Sequence, residues 1–240
     1  MKKLIFFFLL NTLGLPALNA QNTLPAFFQE TSTFLKEHVE NGRVDYANLK
    51  KDPAALAALT KQIGTMSLAG ATPAEKKAFY INAYNLLVIQ QVVGLLPLKS
   101  PLDAPGFFDK RKQRVAGEDL TLNDLEKEKL LKTYADARIH FAVVCAAKGC
   151  PVLAEFAYVP QKLDAQLDER AKLALNSTYF IRVNPKQKRV EVSKLFEWYQ
   201  ADFTKGGQSV LGYVNGFRQE KIPADYAVAM YEYDWSLNSR

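Results

Sequence analysis

The chain has 240 residues, 48% hydrophobic and 23% charged, which is enough apolar material for a large core and unlike a disordered or low-complexity polymer. Its formal charge is +6, and its Lys and Arg residues form no stripe interleaved with aromatics, so no nucleic-acid partner is expected. Two histidines and two cysteines confine metal and nucleophile chemistry to a few places.

Residues 1–20 read as a secretory signal. Lys2 and Lys3 are followed by an apolar run from Leu4 to Leu10, breakers at Gly14 and Pro16, and a small residue, Ala20, before Gln21. The run is shorter than the roughly 20 residues of a membrane span. Removing it leaves 29 basic against 25 acidic residues, a net charge of +4. The expectation is an exported protein, periplasmic or extracellular, with no stable membrane insertion after signal removal. No later segment reads as long and apolar enough to span a bilayer. Residues 21–240 read as a single domain without repeats or long linkers.

Residues 24–41 carry an apolar stripe of Phe27, Phe28, Phe34, Leu35 and Val39, which predicts a helix ended by Gly42. A second helix is expected from Asp52-Pro53 to about Gln62. Thr72-Pro73-Ala74-Glu75 is a capping box that opens the longest helix, about 73–93. After Lys77 that helix is apolar nearly all round, the pattern of a buried helix. A hairpin turning near Gly117 follows, then a helix capped by Asn123 with Glu126 as its N3 residue. Arg138–Val144 reads as a buried strand, and about 161–175 as an amphipathic helix. YFIRVNPKQKRVEVS is a second hairpin. Ser193 caps a short helix, residues 208–219 are helical, and YAVAMYEYDW contains a final strand. The class is α+β: a buried central helix packed against an antiparallel sheet made of hairpins. No glycine-rich nucleotide loop or Gly-x-Ser-x-Gly elbow is present.

The window HFAVVCAAKGCP, His140 to Pro151, gathers a titratable base and both cysteines. An imidazole beside a thiol can make it a nucleophile. Cys145 is then the candidate nucleophile, His140 the general base, and Asn82 or Glu126 the group orienting the imidazole. Residues five apart on an ideal strand point to opposite faces, so the chain must bend before Cys145 for this pair to meet. The competing reading is a Cys145–Cys150 disulfide, worth roughly 2–3 kcal/mol for so short a loop, with His140 packed in the core. Thiol-disulfide exchange is a third reading, although the spacing is not C-x-x-C.

Asn82 and Asn85 share one face of the central helix, and a buried amide costs about 1–3 kcal/mol unless hydrogen-bonded. They either reach a site or hold loop backbone. Glu126 either closes a capping box or holds His140. Tyr84, Asn85 and Trp198 are binding candidates for a small-molecule or peptide ligand. Leu195, Phe196 and Tyr199 are expected to pack inward, and Asp202 to cap or to pair with a basic side chain. No cofactor or metal is expected, because His38 and His140 have no ligand spacing.

GRVDYANLK, AFYINAYNLLVI, LTLNDLEKE, RIHFAVVCAAKGCP, VSKLFEWYQADF and YDWSLN together resemble the DUF547 family in content and order, over about residues 42–238. His140, Phe141, Cys145, Cys150 and Pro151 match the family's frequent H-F-A-L-N-C-x-S-x-S-C-P motif. Val144 stands where Asn is common, and Ala147 and Gly149 where Ser is common. The resemblance implies a fold and a motif but no established activity, and it suits a thiol-dependent hydrolase or acyl transferase acting on an amide or thioester as well as a non-catalytic binding module.

Overall fold

The computed structural model describes residues 22–240; the predicted signal segment 1–20 lies outside the described residues. Helix α1 (Leu24–His38) buries Phe27, Phe28, Phe34 and Leu35 as the stripe predicts. It ends earlier than expected, because Val39–Glu40 (β1) pairs antiparallel with Arg43–Val44 (β2). The turn between them places Asn41 and Gly42 at φ of 50° and 74°, the two left-handed positions a tight hairpin requires. Helices α2 (Tyr46–Lys51) and α3 (Ala54–Thr65) follow.

The central helix α4 spans Pro73–Leu95, opened by the Thr72/Glu75 capping box with proline in its first turn. Thirteen of its residues are buried, including Phe79, Ile81, Tyr84, Leu86 and Ile89. Each buried large side chain contributes about 1.5–3 kcal/mol. Contrary to the sequence reading, α4 meets the length and hydropathy of a membrane span; 72% of that window is buried within the protein, as in a core helix. Its neighbours include α1, α2, α3 and the helix after residue 121. Strands β3 (Gln113–Val115) and β4 (Glu118–Leu120) form the predicted hairpin over Ala116-Gly117.

Two elements differ from expectation. The helix after that hairpin is capped by Thr121, not Asn123: its hydroxyl accepts from the Asp124 N–H and Asp124 answers as N3. Both TLND and NDLE carry the cap spacing, and the earlier one wins. This helix runs through α5 (Leu122–Asp124), a π-helical stretch (Leu125–Leu131) and α6 (Lys132–Tyr134). Glu126 thereby falls inside the helix and is released from capping.

The second difference is at Arg138–Val144. Ala137–Phe141 is a 3-10 helix, and no strand follows. Asp136 caps it by accepting from the Arg138 N–H. Beyond it, Asn85 of α4 supplies what a neighbouring strand would. Its Nδ2 donates to Ala142 O at 2.9 Å, and its Oδ1 accepts from the Val144 N–H at 2.9 Å. The β-branched composition is overridden because these backbone groups are satisfied by a side chain.

Helix α7 (Leu163–Asn176) precedes the hairpin β5 (Ile181–Asn184) and β6 (Arg189–Ser193). Ser193 ends β6, and its hydroxyl accepts from the Leu195 N–H. Short helices α8 (Leu195–Trp198) and α9 (Gln200–Phe203) and the helix α10 (Val210–Phe217) come next. Strand β7 (Ala227–Tyr231) adds to β6 in parallel, giving the order β5-β6-β7. The α+β class with its buried central helix therefore holds. Helices surround α4, while the three-stranded sheet contributes to a second hydrophobic cluster with residues of α7, α8, α9 and α10. Ile139 and Ala142 belong to the first cluster and Phe141 to the second, so this stretch joins the two.

Replacing Asn85 with Ala leaves the Ala142 carbonyl and the Val144 N–H buried and unpaired. Chemical denaturation should show a loss of about 2–4 kcal/mol.

Candidate functional site

The 3-10 helix bearing His140 is held at its start by charge. Asp136 accepts from Lys77 of α4 at 2.6 Å and from Arg138 at 2.9 Å. Arg138 also reaches Asp164 at 2.8 Å and Asp168 at 2.6 Å, both on α7. Burial raises the Asp136 pKa, but the Arg138 and Lys77 hydrogen bonds more than offset this and bring it down to about 2.

Four residues on, the His140 imidazole is buried, with ring centroids 4.2 Å from Tyr199 and 5.1 Å from Phe203. Its Nε2–H donates to Asp202 Oδ2 at 2.7 Å. That bond is the main reason the Asp202 carboxyl sits below the ordinary carboxylate range. The partner of His140 is thus Asp202, not Asn82 or Glu126. With Nε2 donating, the neutral ring presents Nδ1 as an acceptor.

The chain leaves the 3-10 helix and bends, so Cys145 and Cys150 come together with their sulfurs 2.27 Å apart as a disulfide. The Cys145 N–H donates to Cys150 Sγ at 3.1 Å. The Tyr233 hydroxyl lies 3.2 Å from Cys150 Sγ and 3.3 Å from Cys145 Sγ. Burial pushes the Tyr233 phenol well above its ordinary range, so it keeps its proton as a donor. The Tyr233 ring also covers Gly149, where an added Cβ would lie 2.8 Å from a ring carbon. Any side chain at this position would displace that ring. The C-terminal segment fastens the loop: the Lys148 and Gly149 N–H groups donate to Ser236 O and Asp234 O, and the Asn238 N–H donates to Ala146 O.

Glu126, released from capping, is buried and accepts on both oxygens. Tyr199 donates to Oε1 at 2.6 Å and Tyr84 to Oε2 at 3.1 Å. Desolvation first, and the Glu126 charge second, raise both phenols well above their usual range.

These groups meet at a cavity of about 330 Å³, within the size range of small-ligand sites. His140, Cys145, Cys150, Glu126, Tyr84 and Trp198 all line it. Asn82 and Asn85 do not. Asn82 instead pairs with the Tyr158 backbone, donating to its carbonyl at 2.8 Å and accepting from its N–H at 2.9 Å. Both amides support the site from behind. Tyr233, Trp235, Phe108, Asp109 and Asn123 complete much of the lining, and sequence reasoning did not select them. The YDWSLN block was the one available signal for Tyr233 and Trp235. Among the described residues, no group of three or more His, Cys, Asp or Glu is placed to hold a metal.

Residues 68–173 match the family model described as "Protein of unknown function, DUF547", and the remainder of the chain lies outside the match. No curated protein and no solved structure matches the chain. The matched span includes His140, both cysteines, Tyr84 and Glu126, whereas Asp202, Trp198, Tyr199, Tyr233 and Trp235 lie beyond it.

The Asp136 pKa is lowered on folding, from 3.8 to about 2, so its contribution is complete above the higher value and is lost as pH falls through the lower. Stability should therefore drop between about pH 4 and pH 2. In Asp136→Asn this acid limb should flatten, at a cost of about 2–4 kcal/mol near neutrality, read by denaturant midpoints across pH.

Proposed function

We propose that this DUF547-family chain is an exported binding module that seats a small organic ligand in the cavity between Glu126, Trp198 and the cysteine pair. The supporting observation is that the cavity gathers these side chains while its only two sulfurs are joined to each other. A joined pair offers wall and rigidity in place of a thiolate. The basic, apolar start of the chain supports export to an oxidising compartment, where such a pair persists. A ligand-observed NMR screen of the oxidised protein against a fragment library tests this. Hits are expected that bind several-fold more weakly to Trp198→Ala, whose indole is 45% exposed and so removable without unfolding. A library with no hit, or hits indifferent to Trp198, would refute the reading.

A second reading is favoured by one observation: His140, paired with Asp202, lines the same cavity as Cys145. After reduction by a dithiol, which is itself oxidised to a disulfide, Cys145 would carry a thiol. His140 would take its proton while the sulfur attacks an amide or thioester carbonyl. The leaving amine or thiol would take that proton, and water would hydrolyse the acyl-enzyme. Under this reading iodoacetamide alkylates Cys145 of the reduced protein at least tenfold faster than in His140→Ala near pH 7. Equal rates would rule it out.

A further inference from the structure

Resting on the binding reading, we infer that the ligand class is an organic cation: an alkylammonium group on an apolar body. Asp109 and Glu126 are the acidic residues of the cavity lining, and no Lys or Arg lines it, in a chain whose formal charge is +6. Glu126 is only 7% exposed, and its two described hydrogen-bond donors are neutral phenols. No cationic side chain in the cavity answers its charge. The lining also holds an aromatic cluster. Tyr233 stands 4.9 Å from Trp198 and 4.8 Å from Trp235, centroid to centroid, with the two indoles 5.7 Å apart. Ring faces carry negative potential and attract ammonium groups, more strongly where water is excluded.

The same geometry disfavours other ligand classes. An anion would face Glu126 without a cationic partner. A sugar needs many unengaged polar groups, yet the Tyr84 and Tyr199 hydroxyls point at Glu126, that of Tyr233 at the sulfurs, and His140 Nε2 at Asp202. What is left free is ring face, acid, His140 Nδ1 and the Asn123 amide, fewer polar groups than a sugar's hydroxyls need.

The chain's two tryptophans, Trp198 and Trp235, both line the cavity, so intrinsic emission reports its occupancy directly. The oxidised protein would be titrated with benzyltrimethylammonium, and separately with benzyl alcohol, phenylacetate and cellobiose. The expected result is a saturable change for the ammonium compound, at least tenfold tighter than for the others. Glu126→Gln should weaken it by about tenfold or more. Asp109, an exposed lining residue, gives a variant with little bearing on folding: Asp109→Asn should weaken binding about two- to threefold, and added salt should weaken it further. If Glu126→Gln fails to fold by circular dichroism, Asp109→Asn and the salt dependence decide. Equal or tighter binding of the alcohol, the acid or the sugar overturns the cation inference and leaves a binding cavity of another class. No emission change with the ammonium compound, or a change indifferent to both variants and to salt, also overturns it. The cavity reading itself falls with an empty fragment screen or with hits indifferent to Trp198, neither of which the cation titration decides.

Discussion

Asn85 sits on the most buried helix and offers its amide to two backbone groups of an irregular segment, Ala142 and Val144. An unsatisfied polar group at that depth costs on the order of 1–3 kcal/mol, so the segment is tied to α4 at this point. Its position in turn decides where the His140 ring and the Cys145 sulfur emerge. Asn82 plays the same part for Tyr158 three residues earlier on the helix. The two amides thus convert one apolar helix into a template for loops that have no sheet to pair with. The charged cluster of Lys77, Asp136 and Arg138 fastens the other end of the His140 turn.

Around this frame the cavity is built from groups that answer one another. Two phenols donate to one carboxyl, a third phenol lies against both sulfurs, and one imidazole donates to one carboxyl. Each pairing uses up hydrogen-bonding capacity that a catalytic group or a polar ligand would otherwise meet. With the sulfurs joined, the surface presented inward is aromatic and acidic. That combination supports ligand capture more directly than covalent chemistry, and it makes the state of the two cysteines the variable separating the two functional readings.

Much of the fold was legible because its signals are local. The Thr72/Glu75 box, the Gly117 turn and the Phe27–Leu35 stripe each act over a few residues and appear as expected. Errors arose where two local signals competed or where a distant side chain intervened. Thr121 and Asn123 both begin a plausible cap, and the difference of two residues turns Glu126 from a helix terminus into a cavity wall. Arg138–Val144 has strand composition but no strand neighbour, because Asn85, 59 residues before Val144, bonds the backbone first. Even the span of α4 depends on context, since length and hydropathy alone fit a membrane helix and only burial by its neighbours distinguishes it.

By itself the chain determined its helices and hairpins, and it brought a histidine and two cysteines into one short window. The closeness of the cysteines in sequence is what lets them pair with little loop to close. Only the tertiary structure decided that Asp202, 62 residues from His140, would hold the imidazole, and that Tyr233, 88 residues from Cys145, would cover the sulfurs. Such partners meet because separate apolar surfaces pack together, and packing brings distant residues into contact without leaving a periodic mark between them.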